Sequence, residues 1–365
     1  MADGIRWVGL DVHATQTAGA VFDTATGEVR SRRIAGRPHE ALEWLTELPG
    51  PVRAVYEAGP TGYGLARRAR AAGIDMQVCA PGMIAKGPGD RVKTDKRDAL
   101  KLARLHAAGQ LVLVHVPALE HEQLRDLSRC REDVRADLMR ARHRIGKFLL
   151  RREIYFTSRG RGGGRAWTRE HRTWLAGLRF ADRPSELTFT DYLHAHDVML
   201  ARRDALDRAI DEIARDSPWA QIIGRLRCLH GIDTLSAFGI CAEVCDFERF
   251  LAPTAFSAYL GLVPSEHTSG DKRRQGAITK AGSAHARHLL VEAAHHYARP
   301  PRIGGALGRR QDGHEPWVID LSWRAQRRLH ARWRHLRVDR RRPGGVTAVA
   351  VARELAHYCW EVAVH

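Results

Sequence analysis

The chain has 365 residues, enough for two or three domains, and 44% of them are hydrophobic, enough to fill more than one core. Lys and Arg number 59 against 42 Asp and Glu, a net charge of +17 with histidine neutral; this argues against a disordered acidic chain and for a polyanionic partner, with nucleic acid the first expectation. No run approaches the roughly 18 apolar residues of a membrane span, and Met1-Ala2-Asp3-Gly4 lacks the charged and apolar regions of a signal peptide. The expected setting is therefore cytoplasmic and nucleoid-associated, with no membrane partner.

Ile5–His13 reads as an apolar strand ending in an acid, Asp11. Thr17–Phe22 and Glu28–Ile34 follow as second and third strands. Such a meander opens RNase H-like domains, with the first carboxylate on the central strand. The same opening occurs in actin-like ATPases and sugar kinases, but those need further glycine-rich phosphate loops, and no convincing one follows. A helix over Pro38–Glu47 leads to the strand Val52–Gly59, which carries Glu57 near its end. A helix through Ala72 and a strand over Met76–Cys79 come next.

The stretch Arg91–Leu105 predicts an amphipathic helix with Thr94 as N-cap. At 3.6 residues per turn Asp95, Asp98, Leu102 and Leu105 share one stripe, with Lys96, Arg97, Lys101 and Arg104 elsewhere. Acids in a first turn complement the helix dipole. Two of them facing the core side repel, however, and call for a cation or other partners. With Asp11 and Glu57 at strand ends they make four oxygen ligands, a set suited to Mg²⁺ or Mn²⁺ and poorly suited to zinc.

From Pro117 the chain turns to long helices. Leu124, Leu127, Arg131, Val134, Leu138, Ala141, Ile145 and Phe148 follow the alternating spacing of a coiled-coil seam, and Met199, Arg203, Leu206, Ile210 and Ile213 form a second. The two are expected to pair as an antiparallel hairpin, with Arg151–Pro184 as a basic insert near its tip. There Arg159–Arg165, including Arg161 and Arg165, is expected to contact phosphate. Leu226–Phe247 reads as helix, turn, helix, and His230–Leu235 resembles a helix-hairpin-helix turn, although an ordinary helix connection explains it equally well.

Gly261–Ser283 joins glycines, hydroxyls and the cations Lys272, Arg273, Arg274 and Lys280. It reads either as a solvated basic hairpin or as a phosphoryl-transfer loop bearing a serine nucleophile. Helices are expected over Ala284–Tyr297 and Trp317–Leu336, and again after Pro343. Only seven of the 59 basic residues are lysine, and six of the seven lie beside the Asp95 helix or this loop. The six cysteines are scattered and read as buried reduced thiols rather than a zinc site.

Val8–Val12, Tyr56–Gly59, Asp90–Ala99 and Leu262–Leu290 together resemble the DEDD transposases of the insertion-sequence-110 family, the bridge-RNA-guided DNA recombinases. The likeness covers nearly the whole chain; Ala14 departs from the lysine often found shortly after the first acid. The resemblance implies α/β plus α architecture: a RuvC-like catalytic domain over 1–112, a coiled-coil hairpin with a basic insert over 113–220, and a mainly helical transposase domain over 221–365. It implies a metal-binding tetrad of Asp11, Glu57, Asp95 and Asp98 holding Mg²⁺ or Mn²⁺. It further implies a nucleophilic serine, placed at Ser269 by the following Gly270, with Ser265 and Ser283 as rivals. Nucleic-acid contacts are expected from Lys93, Lys96, Arg97, Arg161, Arg165, Lys272, Arg273, Arg274 and Lys280.

The implied partners are a structured bridge RNA that pairs with target and donor double-stranded DNA, and further copies of the chain in a dimer or tetramer. The expected chemistry is cleavage by the serine hydroxyl, a 5′-phosphoserine that conserves the bond energy, and rejoining without ATP. Two other readings remain open. A Holliday-junction-type nuclease would use the same acids with water as nucleophile, and a non-catalytic nucleic-acid scaffold would need only the basic surface.

Overall fold

A computed structural model describes residues 4–84, 94–157, 166–266 and 275–365, and the chain divides into two compact units at Ala118/Leu119. The first unit is built on a five-stranded sheet of β1 (Arg6–Val12), β2 (Gln16–Asp23), β3 (Val29–Ala35), β4 (Val52–Glu57) and β5 (Asp75–Cys79), in the order β3-β2-β1-β4-β5. The first three strands form an antiparallel meander, while β4 and β5 run parallel to β1. β1 is therefore central, and its Val8 and Leu10 are fully buried. The chain then returns along β5: Ala80 and Val114 donate backbone hydrogen bonds to Val112 and Val78, which keeps residues 112–114 in this unit.

One sheet face packs Val8, Leu10, Ala54, Tyr56 and Met76 against α1 (Glu40–Glu47) and α2 (Gly64–Ala71). The other receives α3 (Asp95–Ala107), where Leu102 meets Val55 and Cys79. The Thr94 hydroxyl accepts from the Arg97 amide at 3.4 Å, the N-cap that the sequence predicts. The buried stripe of α3 is Ala99, Leu102 and Ala103, whereas Asp95 is exposed and Asp98 half-buried. The acids thus stand at the rim of the apolar face and not beneath it.

The second unit begins with two long helices, α4 (Leu119–Leu150) and α6 (Arg183–Asp216), joined through a segment that contains α5 (Arg169–Gly177). Arg131 pairs with Asp207, Arg142 contacts His196, and Arg152 donates to Ser185; advancing along α4 retreats along α6, so the pair is antiparallel. Val134, Leu138, Ala141 and Ile145 line the buried side of α4, and Arg131, the polar break in this seam, is neutralised by Asp207 at 2.7 Å. On α6 the register differs from expectation: Ile213 is 38% exposed, and Ile210 and Ala214 are buried instead. At the tip Phe148, Leu175 and Phe189 form a separate small core.

The remaining elements are α7 (Ala220–Leu226), α8 (Thr234–Val244), α9 (Pro253–Tyr259), the hairpin β6 (Pro264–Glu266) with β7 (Gln275–Ile278), and α10 (Ala284–Ala294). After them come α11 (Gly305–Gln311), α12 (Pro316–Arg334) and α13 (Gly344–Val364). Helices α8, α10, α12 and α13 share one apolar core. All six cysteines are free thiols; five are buried, but Cys130 on α4 is exposed, contrary to expectation. Among the described residues no helix is long and apolar enough to cross a membrane.

Every residue of α8 from Ala237 to Val244 is buried, so Glu243 is carried into the interior at 3% exposure. It accepts two bonds from Arg129 at 2.8 and 3.0 Å and one from the Ser283 hydroxyl at 2.9 Å, with His285 Nδ1 3.4 Å away. Burial opposes ionisation, but the hydrogen bonds of His285 and Arg129, the Arg129 charge and Ser283 outweigh it and hold the carboxyl well below the usual carboxylate range. Glu243→Gln is therefore expected to cost about 1–3 kcal/mol, the loss of charge-assisted hydrogen bonds to an interior carboxylate, since the Arg129 left behind is half-exposed. Because the folded pKa is depressed, the Glu243 contribution is fully present above its ordinary value of 4.5 and is lost as pH falls below it. Denaturant titrations at neutral and acidic pH check this; equal destabilisation by the variant at both would contradict it.

Candidate active site

Asp11 and Glu57 follow directly on Leu10 and Tyr56, the last pair of the β1–β4 ladder. Side chains alternate along a strand, so Asp11 shares a face with Gly9, and Glu57 with Val55. That face is the one α3 covers. A Cβ on Gly9 would overlap the Ala99 carbonyl oxygen and fall 2.6 Å from the Ala103 amide and 2.9 Å from Leu102 Cβ. Gly9 thus lets the backbone of α3 lie directly on β1. Two residues along the strand, from Gly9 to Asp11, span about 6.6 Å. One helical turn back, from Ala99 to Asp95, spans about 6 Å. The match brings the first turn of α3 to the end of β1.

There a carboxylate oxygen of Asp11, a ring nitrogen of His13 and a carboxylate oxygen of Asp95 all lie within 4.8 Å of one another. His13 Nε2 stands 3.4 Å from Asp11. Asp11 is half-buried, and its pKa is raised by burial and by the negative charges of Asp95 and Asp98, with His13 opposing the shift. Three of the four predicted acids thus act on one another. Glu57 is exposed at the neighbouring strand end and belongs to no such three-residue cluster among the described residues.

This donor set of two carboxylates and one imidazole, rimmed by Asp98, fits a hard or borderline divalent cation, which would offset the repulsion now raising the Asp11 pKa. Gln16 donates to Asp95 Oδ2 at 3.2 Å and accepts from Arg33 Nε at 3.0 Å, so β2 and β3 steady the first turn of α3. Beside Asp95 opens a cleft of about 450 Å³ lined by Gln16, Ser31, Arg32, Arg33, Thr94 and Lys96. His13, Gln16, Arg32 and Arg33 are absent from the expected site. The available signals were a histidine two residues past the strand acid and a third strand that is polar on both faces, VRSRRIA.

Of the expected nucleic-acid contacts, Lys96, Arg97 and Lys280 are exposed. Lys93, Arg161, Arg165, Lys272, Arg273, Arg274 and Ser269 lie outside the described residues. Of the rival serines, Ser283 is hydrogen-bonded on both sides. Ser283 caps α10, accepting from the Ala286 amide at 3.1 Å while donating to Glu243, and Ser265 faces Gly276 across the β6–β7 hairpin.

A mixed sheet of this order with acids gathered at the end of its central strand, followed by a helical unit, is an α/β plus α arrangement consistent with a DEDD transposase. Residues 8–153 match the DEDD transposase family of IS110 elements, and residues 224–304 match the Transposase IS116/IS110/IS902 family. The chain is 38% identical to the Sinorhizobium fredii protein named "Putative transposase y4qE", over 98% of this chain and 88% of that one. It is 31% identical to the transposase for insertion sequence element IS1533 of Leptospira borgpetersenii, over 92% and 98%. With a Pseudomonas aeruginosa protein named "Probable family 20 transposase" it shares 27% identity over 88% of this chain and 86% of that one. The chain belongs to the IS110 family of DEDD transposases.

Proposed function

We propose that the protein is an RNA-guided DNA transposase that cuts and rejoins strands by phosphoryl transfer, with Asp11, Glu57, Asp95 and Asp98 as its metal-binding acids and Ser269 as its nucleophile. The observation that carries this reading is the convergence of Asp11 and Asp95, with Asp98 in electrostatic reach, at the end of the central strand. The strand order, an antiparallel meander followed by two parallel strands, supports an RNase H-like, RuvC-like catalytic domain over 1–112. The paired long helices support a coiled-coil region within 113–220, and 221–365 is assigned as the transposase domain.

Mg²⁺ or Mn²⁺ held by these acids would supply charge neutralisation at the phosphate and acidify the attacking hydroxyl. The chain's own residues do the rest. Ser269 Oγ attacks phosphorus, the new O–P bond replaces the bond to the departing 3′ oxygen, and that oxygen leaves as a 3′-hydroxyl carrying the proton lost by serine. Attack by another 3′-hydroxyl reverses the step and frees the serine, so no ATP is consumed. Lys96, Arg97 and Lys280, with Lys93, Arg161, Arg165, Lys272, Arg273 and Arg274, neutralise the backbone of target and donor DNA and of the bridge RNA. Assembly as a dimer or tetramer would let the serine of one copy serve the acids of another.

End-labelled DNA incubated with protein and guide RNA, then denatured, should leave label on the wild-type chain and none on Ser269→Ala, with binding retained. Because the Ser283 hydroxyl is engaged by Glu243 and Ala286, it should not replace Ser269. An adduct that survives in Ser269→Ala refutes the assignment. Cutting without any adduct in that variant would instead establish water as nucleophile.

A further inference from the structure

The turn between α7 and α8, singled out in the sequence but unused by the chemistry above, borders a second cleft of about 390 Å³. Gly231 at the turn has φ +87°, and a Cβ there would fall 2.7 Å from the Ala293 carbonyl, so the turn sits directly on α10. Across the cleft stand Arg299, Arg302 and Arg310; the first two are exposed at its mouth, and the third is half-buried. The lining includes one carboxylate, Asp233, whose Oδ1 is engaged in capping α8 through the Ser236 amide at 2.8 Å.

Nε of Arg310, in the lining, and Nε of Arg227, outside the lining but within electrostatic reach of Arg310, are buried with no hydrogen-bond partner among the described residues. A buried donor normally finds a partner, and a charged one loses most when it does not. The groups also oppose one another. Burial lowers the Arg310 pKa, Asp233 counteracts this, and Arg227 lowers it further; His230, at the turn, is depressed by burial and by His296, Arg310 and Arg299. Such a crowd of cations with unfilled donors is what an anion with several acceptor oxygens relieves.

We propose that this cleft is a phosphodiester-binding site, in which Arg310, backed by Arg227, holds one backbone phosphate of a nucleic-acid strand while Arg299 and Arg302 hold its neighbours at the mouth. The inference rests on the chain acting on nucleic acid, but it is independent of the acids and the serine. Two arginines at the rim beyond the half-buried one favour a continuous strand over a free anion, and the net charge of +17 favours its approach.

The test uses the full chain, with binding of a mixed-sequence DNA duplex and of a hairpin RNA followed by fluorescence anisotropy across a salt series. Arg299→Ala combined with Arg302→Ala should reduce the salt slope by about two and weaken binding about 10–100-fold on at least one probe. Arg208→Ala with Arg215→Ala, an equal loss of charge on exposed positions of α6, should change affinity less than about threefold. Which probe responds identifies the strand as DNA or RNA. Arg310→Met should weaken binding yet raise the melting temperature of the free protein, since it removes a half-buried charge, crowded by Arg227, whose Nε lacks an acceptor among the described residues; a purely structural arginine would lower it. Salt slopes that match for the two pairs on both probes, or a melting temperature that falls in Arg310→Met, overturn the proposal and leave the transposase reading standing. A wild-type chain that binds neither probe overturns both.

Discussion

Strand cleavage is expected to fall by about 10³-fold or more when Asp11 or Asp95 is replaced by alanine, equivalent to roughly 4 kcal/mol of barrier. Affinity for DNA or RNA should stay within about threefold of wild type, because it derives from Lys and Arg contacts. The reason for the asymmetry lies in the site's geometry. Asp11 and Asp95 come from elements 84 residues apart and meet only where α3 reaches the end of β1, so losing either leaves a pair of donors where three now gather. Asp98→Ala and Glu57→Ala test the remaining tetrad positions. Binding of Mn²⁺, followed by its electron paramagnetic resonance signal, should weaken in step with cleavage and gives a readout that does not depend on turnover. An Asp95→Ala protein that cuts at the wild-type rate would remove the site from the chemistry altogether.

Gly9→Val should be nearly as damaging without touching any ligand. Its side chain would have to occupy the space of the Ala99 carbonyl and Ala103 amide, both backbone atoms of α3, and neither can rotate out of the way. The helix must lift, and Asp95 and Asp98 lift with it; a displacement of about 1 Å in such a site costs on the order of 10²-fold in rate. Overpacking should also destabilise the first unit by about 1–3 kcal/mol. Gly64→Ala is the control, since a Cβ at this first residue of α2 meets nothing within 4 Å. Cleavage assays paired with denaturant titrations separate the two effects. If Gly9→Val melts and cuts as the wild type does, α3 is not what sets the acids in place.

Some of this was legible in the residues themselves. The strands that became β1, β2, β4 and β5 announce themselves as apolar runs of strand length, and Thr94 announces the start of α3, because the side-chain pattern of a strand and the hydrogen bond at a helix cap depend on neighbours in sequence. The acids at the ends of β1 and β4 and in the first turn of α3 were visible for the same reason, and so were the long helices α4 and α6. Family membership could be read from those motifs together.

What tertiary structure decided was who meets whom. No local pattern shows that Gln16 and Arg33 steady Asp95, since these contacts depend on how β2 and β3 fold back beside a helix some 60 to 80 residues away. On α6 Ala214 is buried in place of Ile213, and Arg131, read as a break in the seam, pairs with Asp207 across it. Glu243 appears from its helix as one acid in an apolar stretch; only Arg129 from α4 and Ser283 and His285 at the start of α10 make its burial tolerable. Periodicity reports which side of an element is apolar, whereas the partner of a charged group is set by packing between distant elements, and the cost of burying that charge makes the partner matter.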